Sequence, residues 1–420
     1  MQNFEDVIKE DCFYVDKTPF IEDIEESNKY FFYIRPRRFG KSLTLSMLEN
    51  YYDINKKEDF DTIFGGLYIG ENPTSEHNTY LVIHLNFAEV DSGLDNYKEG
   101  LDTHCRLVFE DFCTRYAALL PKGTKEELKS EQGAIAQLRF LCQKCTEVKQ
   151  KIYLFIDEYD NFTNMILSSE EHLERYKGQT HGEGYLRRFF NTIKGAANTS
   201  LGRIFVTGVS PVTMDDLTSG FNIGTNYSLA PEFNELTGFT EEEVRDMLSY
   251  YAGVLPFNHT VDELIEIMKP WFDNYCFAIN SYGKTTMYNS IMVLNFVDNY
   301  IRNDYHIPNK MVEPNIRIDY SKIRMLIRHD KEFAHDASII QELVTKGYAT
   351  GNLVENFPAD RINDPDNFLS LLFYFGLVTI DGEYKGSTKF IIPNEVVRDQ
   401  IYTYLLDTYR ENDLTFEQYD

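Results

Sequence analysis

Positive charge is in short supply. Against 67 acidic residues the chain sets 41 lysines and arginines, a formal net charge of −26. Neutralising phosphates supplies most non-specific affinity for nucleic acid, so a surface this acidic is not expected to grip DNA or RNA without a partner or a further domain. Long apolar runs are missing as well. The longest uncharged apolar stretch, Phe368 to Ile380, is too short to cross a bilayer, and no membrane partner is expected. The N-terminus, with Glu5, Asp6, Glu10 and Asp11, has neither the basic nor the apolar region of a secretory signal, which points to a cytoplasmic protein. Cysteine is scarce: six in 420 residues make no disulfide framework. Cys142 and Cys145 form a lone C-x-x-C, but the run Ala136 to Val148 reads as a helix and no second pair follows, which argues against zinc.

What is present is enough apolar material, 43% of the residues, to fill the cores of two or three domains. The stretch from Phe31 to Ser42 reads as a buried strand ending at Ile34, a loop ending in Gly40-Lys41-Ser42, and a helix whose apolar residues Leu43, Met47, Leu48 and Tyr51 recur at helical spacing. At the end of such a loop, backbone N–H groups and the positive end of a helix converge on a volume that suits a phosphate. Lys41 would reach the β- and γ-phosphates, and Ser42 would place its hydroxyl on a Mg²⁺ ion bridging them. The match to G-x-x-x-x-G-K-[ST] is incomplete, because Arg35 stands where the first glycine belongs. The loop must therefore open differently, with Pro36 fixing its φ. Arg35, Arg37 and Arg38 form a local basic rim where triphosphate charge would need balancing.

Two further strands fit the same plan. Lys151 to Ile156 is apolar after its first residue and closes on Asp157 and Glu158, the form of a Walker B strand. Asp157 would hold the metal, and Glu158 would polarise the attacking water. Arg203 to Pro211 is β-rich and ends in hydroxyl residues; Thr207 and Ser210 are the candidates to sense a γ-phosphate, although a strand-terminal threonine is also simply a good strand former. With the strand Tyr80 to Phe87 and intervening helices, the pattern predicts an α/β fold with a parallel, helix-covered sheet and the site at its carboxyl edge.

Four strings together, Tyr14-Val15-Asp16-Lys17-Thr18, Arg35-Pro36-Arg37-Arg38-Phe39-Gly40-Lys41-Ser42-Leu43, Phe155-Ile156-Asp157-Glu158-Tyr159-Asp160 and Leu236-Thr237-Gly238-Phe239-Thr240, resemble the bacterial AAA-ATPase-like family, P-loop ATPases related to AAA+ and signal-transducing ATPases. The similarity runs from about residue 4 to about residue 400. It implies ATP and Mg²⁺ as cofactors, Glu158 and Lys41 as catalytic residues, and Ser42 and Asp157 at the metal. It also implies Arg37, Arg38, Phe39, Gly40, Lys41, Ser42, Leu43, Tyr14 and Thr207 around the nucleotide. Adenine over guanine rests on the resemblance, with no Asn-Lys-x-Asp string to read guanine. Two departures, Asn274 where related sequences have glycine and Ser290 where they have proline, put the local turns in doubt.

The expected organisation is an ATPase core over 1–238, a helical lid over 239–303 opened by a capping box at Thr240-Glu241-Glu242-Glu243, and a helical, winged-helix-like module over 304–420 after a linker flanked by Pro308 and Pro314. Residues 168–184 read as a polar lid or partner surface, and Arg187 and Arg188 as a solvated helix face or an arginine finger acting in trans. The strand pair Gly376 to Ile380 and Lys389 to Pro393 is expected to turn at Asp381-Gly382-Glu383, which would leave the nuclease-like spacing of Asp366, Glu383 and Lys385 without a rigid metal site. Many family members carry a nuclease-like domain after this point, and its activity is not expected here. The functional expectation is a Mg²⁺-dependent ATPase that moves its C-terminal modules and engages protein partners or further copies of itself. The rival is a nucleotide-gated scaffold with little turnover.

Overall fold

The computed structural model describes residues 3–90, 97–161, 184–212, 224–311, 336–362 and 364–411. The sequence's apolar runs become the strands of one parallel sheet: β1 (Tyr30–Ile34), β2 (Tyr80–Asn86), β3 (Lys151–Asp157), β4 (Leu201–Gly208) and the short β5 (Thr225–Asn226), in the order β2-β3-β4-β1-β5. Alternate residues of β1 and β3 enter opposite cores, which is why these runs are apolar on both faces, whereas β5 is a short polar edge. Phe31, Tyr33, Tyr153 and Phe155 face one core with helices α1 (Phe4–Lys9), α2 (Phe20–Glu26) and α3 (Lys41–Tyr52). Phe32, Ile34, Leu154 and Ile156 face the other, against α4 (Tyr97–Arg115), α5 (Ala134–Glu147) and α6 (Tyr185–Ala196). Cys142 and Cys145 are buried on α5, and burial pushes the Cys142 thiol up to about 11, so both pack as apolar groups.

Helices α7 (Glu241–Val254), α8 (Val261–Phe272) and α9 (Ser290–Arg302) pack around a core of their own built on Met247, Leu264, Met268, Phe296 and Tyr300. Thr240 caps α7 as expected: its hydroxyl accepts from Glu243 N at 3.2 Å, and the Glu243 carboxylate accepts from Thr240 N at 2.8 Å. Asn274 takes the left-handed conformation that glycine favours, φ 79°, and its Nδ2 donates to Pro393 O at 2.9 Å. Asparagine tolerates that region and here adds a tether, so the turn survives the substitution.

The C-terminal elements are α10 (Asp336–Thr345), β6 (Ala349–Gly351), α11 (Pro365–Tyr374), β7 (Thr379–Tyr384), β8 (Ser387–Ile391) and α12 (Glu395–Glu411), with an antiparallel sheet ordered β6-β8-β7. The expected turn at Asp381-Gly382-Glu383 is corrected. The ladder shifts register between Ile380 and Glu383, so Gly382, φ 88°, lies in an irregularity inside β7. The chain reverses at Lys385 and Gly386, whose φ of 54° and 86° suit a tight hairpin turn. Glu383 is on a strand after all, but exposed. Among the described residues no helix is long and apolar enough to cross a membrane.

Candidate functional site

β1 ends at Ile34, and its ladder runs one residue further, Arg35 N donating to Gly208 O at 3.3 Å. The missing first glycine therefore costs nothing: Arg35 continues the strand, and the left-handed positions fall later, at Arg38 (φ 71°) and Gly40 (φ 92°). At Gly40 an added Cβ would meet only Ser290 Oγ, 3.7 Å away, so its φ rather than crowding calls for glycine. α3 then starts at Lys41.

The expectation that Arg35 belongs to a basic rim is corrected. Its side chain is buried between the rings of Tyr33 and Phe277, 4.3 Å from each centroid. The guanidinium donates to Ile34 O at 3.0 Å, to Ser228 O, and to Phe233 O at 2.9 Å, tying the strand to two distant segments. The half-buried Arg37 and Arg38 remain at the loop.

Two sequence-distant motifs meet here. Ser42 Oγ donates to Asp157 Oδ2 at 2.8 Å, joining the start of α3 to the end of β3. Asp157 is buried; burial pushes its carboxyl above the usual range, while the Ser42 hydroxyl and the Lys41 charge pull it back. Lys41 Nζ is also buried, donating to Arg35 O at 3.1 Å and Pro36 O at 3.2 Å. Burial holds its ammonium below the usual lysine range, with Glu158, Asp157 and Asp160 acting against the shift. Among the described residues Asp157 forms no ion pair. A buried carboxylate beside a hydroxyl, with the nearest lysine engaged elsewhere, is a hard-oxygen donor set that suits Mg²⁺.

Glu158 follows at φ 50°, its N–H donating to Asp157 Oδ1 at 2.9 Å. Tyr159 N then returns to the ladder, donating to Thr207 O at 3.2 Å. Thr207 is buried with its hydroxyl on Tyr33 O at 2.7 Å, so in this conformation it clips β4 to β1. Asp160, not singled out in the sequence, accepts from the N–H groups of Val209 (3.1 Å) and Ser210 (2.7 Å) and fixes the chain leaving β4.

A mainly apolar cavity of about 470 Å³ opens beside Gly40, Leu43 and Thr44. The segment carrying Phe13, Tyr14 and Val15 lines one side, and Phe39 and Leu236 to Phe239 line another. Tyr14 contributes its ring to the wall while its hydroxyl donates to Met47 Sδ at 3.3 Å. Leu294, Val297 and Ile301 of α9 also line it. These three had a legible signal, apolar residues at i, i+3 and i+7, but nothing in the sequence said which cavity that face would meet. Arg187 and Arg188 lie on α6, half-buried and exposed respectively. Of the polar segment 168–184, all but the last residue lies outside the described residues.

The relative described as "Uncharacterized protein in vnfD 5'region", from Azotobacter chroococcum mcd 1, is 26% identical over 266 residues, 63% of this chain and 45% of that one. The chain thus spans less than half of that relative's length. Among solved structures, the Cdc6p protein of Pyrobaculum aerophilum has 14% identity and a TM-score of 0.35, covering 90% of this chain and 88% of that one. The ORC1 protein of Aeropyrum pernix, solved in complex with DNA, has 11% identity and a TM-score of 0.33, covering 95% and 93%. The fold is therefore read from the chain's own sheet order and loop. The family model described as a predicted AAA-ATPase matches residues 1–218, more than half of the chain, and the protein belongs to this AAA-ATPase-like family.

Proposed function

We propose that the protein binds ATP with Mg²⁺, hydrolyses its β–γ bond, and couples the nucleotide state to its helical and C-terminal segments. The observation that carries this reading is the 2.8 Å hydrogen bond between Ser42 and Asp157, residues 115 apart in sequence, beside the buried Lys41. When bound, Mg-ATP supplies the scissile bond and the cation that neutralises charge on its oxygens. Ser42 and Asp157 would hold the metal, and Lys41 would exchange its two loop carbonyls for phosphate oxygens. Glu158, at the edge of the sheet, would orient a water and take its proton. Its left-handed backbone favours turnover over binding alone, because strain in a glutamate persists where the position of the side chain matters.

The apolar cavity suits a purine base, and its volume lies within the range usual for small-ligand sites. Because α9 forms one wall, a bound base would bridge the sheet domain and the helical segment. The C-terminal elements reach the loop too: a Cβ at Gly376 would come within 2.9 Å of Pro36, so that turn rests on the loop entrance. Protein partners or self-association, with nucleic acid reached only through a partner, complete the reading, which the net charge of −26 supports.

Titration calorimetry with Mg-ATP, on the wild type and on Lys41→Ala, tests the proposal. Saturable binding lost in the variant, with phosphate release by the wild type alone, is the expected result. Equal heats from the two proteins would sink it.

A further inference from the structure

Each of the five consecutive carbonyls from Arg35 to Phe39 accepts a hydrogen bond. Lys41 Nζ serves the first two from within the loop. The other three are served from outside the sheet domain's strands and flanking helices. Asn289 Nδ2 donates to Arg37 O at 3.4 Å, Ser290 Oγ and Ile291 N donate to Arg38 O at 3.2 and 3.3 Å, and Gly238 N donates to Phe39 O at 2.9 Å.

Covalent geometry gives this pattern a consequence. All described peptide bonds are trans, and in a planar trans peptide the C=O and the next N–H point in opposite directions. Holding the carbonyls of Arg37, Arg38 and Phe39 toward residues 238 and 289–291 turns the N–H groups of Arg38, Phe39 and Gly40 the other way. Those amides are the loop's anion-binding groups. The aim of the Arg38 and Phe39 amides is thus set in part by two side chains 252 residues away from their acceptors, at the start of α9, the helix that also lines the cavity.

We propose that Asn289 and Ser290 are positioning residues of the phosphate loop, which orient its amides through the carbonyls of Arg37 and Arg38. The inference rests on the reading of the loop as a nucleotide site and adds two residues which that reading does not contain. Both are buried, and Asn289 has two duties: Oδ1 accepts from Met292 N at 3.3 Å to cap α9, while Nδ2 reaches the loop. Ser290 Oγ is a second donor to Arg38 O beside Ile291 N, and the only one of the two that a side-chain substitution can remove. The loop is pre-set only while the start of α9 is docked on it, so undocking that helix loosens the phosphate grip without any change at Lys41.

The variants that isolate this role keep α9 capped. Asn289→Ser retains a capping oxygen but is too short to reach Arg37 O; Ser290→Ala removes only the hydroxyl; Ser290→Thr keeps it. The measurement is displacement of a fluorescent ATP analogue by Mg-ATP and, separately, by adenosine, with thermal unfolding of the nucleotide-free protein as the fold control. The double variant Asn289→Ser/Ser290→Ala should lose roughly tenfold in ATP affinity, with adenosine affinity unchanged and a lowered unfolding temperature that still leaves the protein fully folded at the assay temperature. Ser290→Thr should bind ATP as the wild type does. Equal losses for ATP and adenosine would mean that α9 shapes only the cavity, and unchanged ATP affinity would mean that the loop holds itself; either result overturns the proposal. If the double variant does not fold, Ser290→Ala alone decides, on the same split. A wild type that binds neither ligand would instead remove the nucleotide reading on which the inference rests.

Discussion

At the scale of single residues, Glu158 combines a proposed role in turnover with a backbone conformation that disfavours glutamate. A non-glycine residue in the left-handed region costs on the order of 1 kcal/mol, and glycine at the same place would relieve that strain while giving the unfolded chain more freedom. Glu158→Gly should therefore unfold no lower than the wild type while losing phosphate release, and Glu158→Gln should lose turnover yet still bind Mg-ATP. A clear fall in Tm for Glu158→Gly would show that the side chain is structural. His84 gives a pH signature. Its Nδ1 pairs with Glu49 of α3 at 2.5 Å, and Asp157 of β3 and Glu89 after β2 also face it. Burial disfavours the charged ring, but the Glu49 hydrogen bond and charge, with the other acids, outweigh it, so the folded value is raised. His104 of α4 lies near enough to repel it in part. A raised histidine stabilises the fold fully below its unfolded value of about 6.5 and ceases to do so as pH rises through the folded value. Stability should fall across that window, and in His84→Gln that part of the pH profile should flatten.

At the scale of elements, the ion pair between Lys17 and Glu243 joins the N-terminal segment to α7 beside the cavity, at 2.6 Å with Lys17 buried. Lys17 Nζ also donates to Glu235 O at 2.8 Å, and burial lowers its proton affinity despite these partners. Glu243 closes the capping box as well. Removing it strands a buried ammonium and uncaps a helix, so Glu243→Ala should cost about 3–5 kcal/mol in denaturant unfolding, whereas Lys17→Met, which leaves no charge buried, should cost clearly less. The reverse order would mean that the lysine's other contacts dominate. Elements were legible where one physical cause acted alone. β1, β3 and β4 are buried on both faces, and the apolar runs within them, Phe31 to Ile34, Ile152 to Ile156 and Ile204 to Val206, announced them; Thr240 to Glu243 wrote its own cap. β5 has two residues and no pattern to read. The β7–β8 turn was misplaced because Asp381-Gly382 and Lys385-Gly386 both carry turn chemistry, and only strand register, a non-local property, decides between them.

At the scale of the whole molecule, the meeting of Lys41, Ser42 and Asp157 could be anticipated because the proposed phosphate and metal chemistry restricts residue type. Arg35's burial and the donors at residues 289–291 could not, since carbonyl acceptors are the same for every residue and a buried arginine satisfied by carbonyls and rings leaves no charge pattern. The cavity has the same character: its walls come from residues near 14, 39, 238 and 297, and no segment contains it. That distribution has a thermodynamic consequence. A ligand bound only by the folded state stabilises it by an amount set by its concentration relative to Kd, about 2.7 kcal/mol at a hundredfold excess. If the proposed base occupies the cavity, the stabilisation should reach the helical segment as well as the sheet domain, because both supply its lining. Hydrogen exchange should therefore slow on Mg-ATP binding both in α3 and in α9, and Lys41→Ala should abolish both effects together. Protection confined to α3 would mean that α9 does not engage the nucleotide, and coupling to the C-terminal segments would then have to run through contacts such as those between Pro36 and Gly376 and between Phe277 and Phe373.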